Sequence, residues 1–139
     1  MSRSGYSDDL EPWALICWRG AVKSAIKGRK GQLFLKELLN ALDALPSKRL
    51  AANSFERSGE FCTLGALGSR RGLDMAPLRD AFEFEPRDVG DLFGIPRALA
   101  AEIMFENDQD FCYWKNETPE DRWSRMRNWV ESQIAKEPQ

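Results

Sequence analysis

The stretch Glu11–Lys27, EPWALICWRGAVKSAIK, decides how the rest of the chain is read. On a repeat of 3.6 residues, Trp13, Ile16, Cys17 and Gly20 fall on one face of a helix. Leu15, Trp18, Val22, Ala25 and Ile26 fall on another. Only one stripe is charged: Arg19, Lys23 and Lys27, each four residues from the next. A helix that is apolar on most sides must be packed on most sides. The stretch is therefore expected to be the central helix, with one basic edge reaching water. Pro12 suits a first helical turn, and Asp8, Asp9 and Glu11 place negative charge where the helix dipole favours it.

Around that helix, 139 residues are enough for one domain with a sizeable core. Five Trp and eight Phe supply large apolar surfaces that require burial, which argues against global disorder. The net charge of −2 argues against general attraction to nucleic acid or membranes. The opening MSRSGYSDDLEP has no apolar signal core, and no apolar run approaches membrane-spanning length, so a cytoplasmic protein without membrane association is expected. Cys17, Cys62 and Cys112 are odd in number, widely spaced and set among apolar neighbours, as buried reduced thiols would be.

The pattern continues as helices. From about Gln32 to Ala44, Leu35, Leu38, Leu39, Leu42 and Leu45 form a core-facing stripe widened by Phe34, and Pro46 stops it. The GRKG before it reads as a basic connection. Ser58-Gly59 between two short runs predicts a small β-hairpin near residues 48–64. A short helical turn over Cys62–Arg70, capped near Gly72, follows. Further helices are expected from Pro86 to Phe93, ending at Gly94, and from Pro96 to about Asn107. NDQDFCYWKNE then reads as a loop. In the last helix Thr118 is the N-cap, Pro119 the first residue and Asp121 the third position of a capping box; Trp123, Met126, Val130 and Ile134 make its stripe. The expected fold is mainly α, a single compact domain of about five helices with that small hairpin. Residues 1–10 form a polar lead-in and 136–139 a frayed tail.

Several chemistries are missing. With no His there is no Ser-His-Asp or Cys-His nucleophile, no HExxH zinc site and no imidazole proton shuttle. Three scattered Cys do not make a zinc site, and no Gly-rich phosphate loop follows a strand. No enzyme activity, cofactor or metal is expected. Glu106, Asp108, Asp110 and Glu117 have the spacing of calcium-loop ligands, but Phe111 stands where that loop needs Gly, so a solvated acidic loop is the better reading.

Two charge features bear on binding. RDVGDLFGIPRALAAEI resembles a helix-turn-helix, with Gly94 in the turn and Arg87 and Arg97 as its cations. The surrounding acidic residues would repel a duplex, so a nucleic-acid-binding regulator is the alternative rather than the leading reading. In contrast, no acidic residue occurs between Pro12 and Lys36, where Arg19, Lys23, Lys27, Arg29, Lys30 and Lys36 are all basic. Arg70 and Arg71 form a second basic turn. This patch could be a solvated edge. As a binding surface, with exposed aromatics such as Trp114 for anchors, it would steer an acidic partner.

SGYSDD, ICWRGAV, KGRKGQLFLKELLNALDALP, EFCTLGALG and TPEDRWSRMRNWV span most of the chain and resemble a group of small accessory proteins of tailed bacteriophages and prophages. The resemblance implies a phage-encoded protein acting in the bacterial host cytoplasm. It also implies a partner: a host protein or protein–nucleic-acid complex that is bound and blocked. Inhibitors of bacterial defence, anti-CRISPR proteins among them, are one such class.

Overall fold

The helix most enclosed by its neighbours is not the first. The computed structural model describes residues 12–51, 56–57, 60–73, 86–108 and 117–135. Six helices lie among them: α1 (Pro12–Lys27), α2 (Arg29–Ala44), α3 (Thr63–Arg71), α4 (Pro86–Phe93), α5 (Arg97–Asp108) and α6 (Pro119–Gln133). Helix α5 contacts α1, α3, α4 and α6. Its small residues Ala98, Ala100 and Ala101 let those neighbours approach, and Leu99 and Ile103 are fully buried between them. This corrects the expected central role of α1. Trp13 and Ile16 of α1 are 68% and 59% exposed, Cys17 is exposed, and of the described α1 side chains only Val22 is buried. Apolar composition set how much surface α1 could bury, but not which layer it would occupy.

Helix α2 buries the stripe its spacing predicts. Phe34, Leu35, Leu38, Ala41 and Leu42 are buried, with Leu39 and Leu45 packed against them. Each fully buried Leu contributes about 1.5–3 kcal/mol relative to exposure. The helix begins earlier than expected, at Arg29, because Gly28 alone separates it from α1. The GRKG connection is therefore mostly helix. At Gly31 the two helices come so close that a Cβ would lie 1.8 Å from the Ala25 carbonyl oxygen. Only glycine fits that crossing.

The hairpin expected near residues 48–64 is not present at that extent. Among the described residues, Glu56–Arg57 and Glu60–Phe61 pair antiparallel, Glu56 opposite Phe61 and Arg57 opposite Glu60, and the pairing ends there. Cys62 cannot extend a strand because it caps α3, its Sγ accepting the Gly65 N–H at 3.2 Å. On the other side, Leu50 N–H donates to Pro119 O and Ala51 N–H to Phe61 O, so the segment straps neighbouring elements together. Helix α3 ends on Gly72 in the left-handed region (φ +74°), as the cap signal predicts. Gly94 (φ +72°) turns the chain between α4 and α5 in the same way. In α6, Thr118 Oγ1 accepts the Asp121 N–H at 3.1 Å with Pro119 at the start, and Met126 and Val130 are fully buried.

A buried polar joint holds α5 to its surroundings. Asn107 Oδ1 accepts the Thr63 N–H (3.0 Å) and the Thr63 hydroxyl (2.8 Å), and its Nδ2 donates to Ala51 O (3.0 Å). Arg122 Nε donates to Asn107 O at 2.9 Å. Glu117 receives Arg125 through both carboxylate oxygens (2.6 and 2.9 Å), with Arg122 at 3.3 Å. Glu117 is thus committed to the two arginines. Asp110, Phe111, Cys112 and Trp114 of the acidic loop lie outside the described residues. Among the described residues no helix is long and apolar enough to cross a membrane.

Candidate partner-binding surface

The four-residue spacing of Arg19, Lys23 and Lys27 becomes one exposed ridge on α1. Gly28 then places Arg29 and Lys30, also exposed, in the first turn of α2 directly beyond Lys27. Five of the predicted cations are therefore brought together at the α1–α2 corner.

What marks this corner is the clustering of cations that form no ion pair among the described residues. Elsewhere five arginines are engaged, Arg49 with Glu120, Arg71 with Glu37, Arg122 and Arg125 with Glu117, and Arg127 with Asp43 and Glu131, while Arg70, Arg87 and Arg97 are exposed at separate places on the surface. Among the described residues, none of Arg19, Lys23, Lys27, Arg29 and Lys30 forms an ion pair. Arg29 and Lys30 also sit where the helix dipole is positive, with no acidic residue in that turn and no side-chain cap from Gly28. Both placements are locally unfavourable.

Arg71 belongs to a different environment from the one predicted. Its Nε donates to Glu37 Oε2 at 2.8 Å, its Nη1 to Phe93 O at 3.2 Å, and the guanidinium lies over the rings of Phe34 and Phe93. The hydrogen bond from Arg71 holds the Glu37 carboxyl below its ordinary value against the opposing effect of burial, and nearby Arg70 adds to the lowering. Arg71 thus serves to clamp α3 to α2, while Arg70 beside it stays exposed.

The nucleic-acid alternative fares differently in its two halves. Arg87 and Arg97 are exposed, and the α4–Gly94–α5 corner has the expected turn. But α5, the helix that would enter a groove, has nine buried residues among its twelve. A helix enclosed along its length has no face to offer a duplex.

Between α1, α5 and the end of α6 lies a groove of about 530 Å³, within the size range of small-ligand sites. Arg19, Lys23 and Lys27 line it from α1 together with Trp18, Val22 and Ile26. Glu102 and Glu106 face it from α5, each 7% exposed, and Trp129 and Ile134 from α6. The Trp18 Nε1 is buried without a hydrogen-bond acceptor among the described residues. Sequence reasoning missed the groove. Its signal was the Glu102/Glu106 pair, four residues apart, the first within the apolar run Ala98 to Phe105 and the second at its end.

Neither described thiol is set up as a nucleophile. Burial pushes the Cys62 thiol up to about 12, and Cys17, though exposed, has no His to activate it. Among the described residues no group of His, Cys, Asp and Glu is arranged to hold a metal. Comparisons with protein-family models, curated proteins and solved structures return no match.

Proposed function

We propose that the chain acts by stoichiometric binding, not catalysis, and that the α1–α2 corner is the surface that engages its partner. The observation that carries this reading is the set of five exposed cations clustered at one corner with no ion pair among the described residues. Two of them stand against a helix dipole, and a local cost of that kind is the mark of a site retained for something other than stability. Exposed Trp13 and Ile16 on the same helix add apolar contact area of the sort that anchors interfaces.

The partner is an acidic surface. The resemblance to phage and prophage accessory proteins supplies the setting: a host protein or protein–nucleic-acid complex, bound and blocked, with defence systems of the CRISPR kind among the candidates. The burial of α5 weighs against the alternative of a helix-turn-helix regulator.

The test is capture of a partner from bacterial lysate, with and without nuclease, by the wild type and by R19E/K23E/K27E. The expected result is a discrete protein retained after nuclease and lost with the triple variant, whose melting curve stays that of the wild type. Equal capture by the folded variant would remove the corner from the interface. Recovery of nucleic acid alone, abolished by nuclease and by Arg97→Glu, would restore the alternative.

A further inference from the structure

Resting on that reading, we infer that the groove between α1 and the end of α6 receives a short acidic segment of a protein partner. The segment places carboxylates against Arg19, Lys23 and Lys27 and one apolar or aromatic side chain between Trp18, Val22 and Trp129.

Charge complementarity and the lining chemistry carry the inference together. Three cations follow one wall at four-residue intervals, about 6 Å apart along the helix axis. That row matches acidic side chains spread along a chain better than it matches one compact anion. Beside the cations the wall is apolar, so the groove rewards a segment that buries a side chain as well as pairing charge. The buried Trp18 Nε1 offers a donor with no acceptor among the described residues, and a backbone carbonyl or carboxylate of the occupant would meet it.

Glu102 and Glu106 on the opposite wall decide between a peptide and a nucleic acid. A phosphodiester backbone brings negative charge and acceptors along its whole length and would face two carboxylates unfavourably. A peptide carries negative charge only at its acidic side chains, which can be directed to the cationic wall and away from these carboxylates.

The experiment is a selection of random dodecapeptides displayed against the full-length protein, with individual winners then measured by fluorescence polarisation. Binding is compared across the wild type, R19E/K23E/K27E, and two groove-filling variants, Ser132→Trp and Ala135→Trp. Residues 132 and 135 are exposed where they line the groove, so filling it there leaves the core intact, and matching melting curves confirm the fold. Winners rich in Asp and Glu with an aromatic or large aliphatic residue, weakened about tenfold or more by the reversal and by either filling variant, are expected. Winners sensitive to the reversal but indifferent to both filling variants would overturn the groove while leaving the proposed binding corner standing. Winners without acidic bias, or indifferent to the reversal, would overturn both. So would a selection that yields no binder above an unrelated control protein. Equal binding of labelled oligothymidylate, displaced by the peptides, would assign the groove to nucleic acid instead.

Discussion

Helices α1 and α5 start from similar material and end in opposite places. Each carries three Ala together with Leu and Ile, yet α5 is enclosed by four neighbours while α1 shows Trp13, Ile16 and Cys17 to solvent. The difference lies in residue size and in what flanks the pair. Ala98, Ala100 and Ala101 give α5 a slim profile that several helices can approach, and the corner at Gly94 folds α4 back onto it. Helix α1 carries bulky groups on two sides and cations on a third, so it docks through Val22, Ala25 and Ile26 and leaves Trp13, Ile16, Cys17 and the cations outside. An apolar helix is buried only where neighbours exist to cover it. One left partly uncovered is a surface awaiting contact.

The largest contrast should appear in thiol chemistry. Cys17 on α1 is exposed, whereas Cys62 is 8% exposed with its thiol pushed up to about 12. Alkylation of the native protein at pH 8, followed by peptide mass mapping, should modify Cys17 faster than Cys62 by on the order of a thousandfold, with Cys62 reacting only on unfolding. Comparable rates would mean that the contrast between outer helix and core is overstated.

Next in size is stability. Ile103→Ala on α5 removes a fully buried side chain and should cost about 2–5 kcal/mol in denaturant titrations. Ile16→Ala on α1 should change stability by no more than about 0.5 kcal/mol. A large loss at Ile16 would place α1 in the core after all.

The smallest effect concerns the Arg71–Glu37 clamp, which contrasts a spent cation with the unpaired ones of α1. The folded-state carboxyl of Glu37 lies below its ordinary value of 4.5, chiefly through its hydrogen bond from Arg71. Its contribution is therefore whole above that value and fades as the pH falls through the lowered one. Because Glu37 is 41% exposed, Glu37→Gln should lose less than about 1 kcal/mol at pH 7. The difference from wild type should shrink toward zero in strong acid. A loss that persists there would show that the charge of Glu37 is not what matters.

Local signals were legible in the sequence. The Leu stripe of α2, the Thr118–Pro119 start of α6, the Gly72 cap of α3 and the Gly94 corner each depend on residues within one or two turns of chain, and each stands where the pattern put it. The five-cation corner was legible for the same reason, since its members lie within twelve residues. What could not be read depends on distant partners. Arg71 is taken up by Glu37, 34 residues away, and the groove joins α1 to residues near 102 and 132. The strand at Glu60–Phe61 forms but goes no further, because the next residue, Cys62, caps the helix that follows.

Gln32 gives the molecule an unusual connectivity. Its side-chain Nε2 donates to Ile26 O at 2.7 Å and to Gln133 O at 3.1 Å, while its Oε1 accepts the Ala135 N–H at 2.7 Å. In polymer terms, residues 32 to 135 form a ring, closed by one amide group instead of a covalent bond. Helix α1 is then a branch tangent to that ring, fastened at the closure point by the same amide. Cutting the ring and rejoining it at that seam would leave the order of its elements around the circle unchanged, and the branch would still point its cations outward.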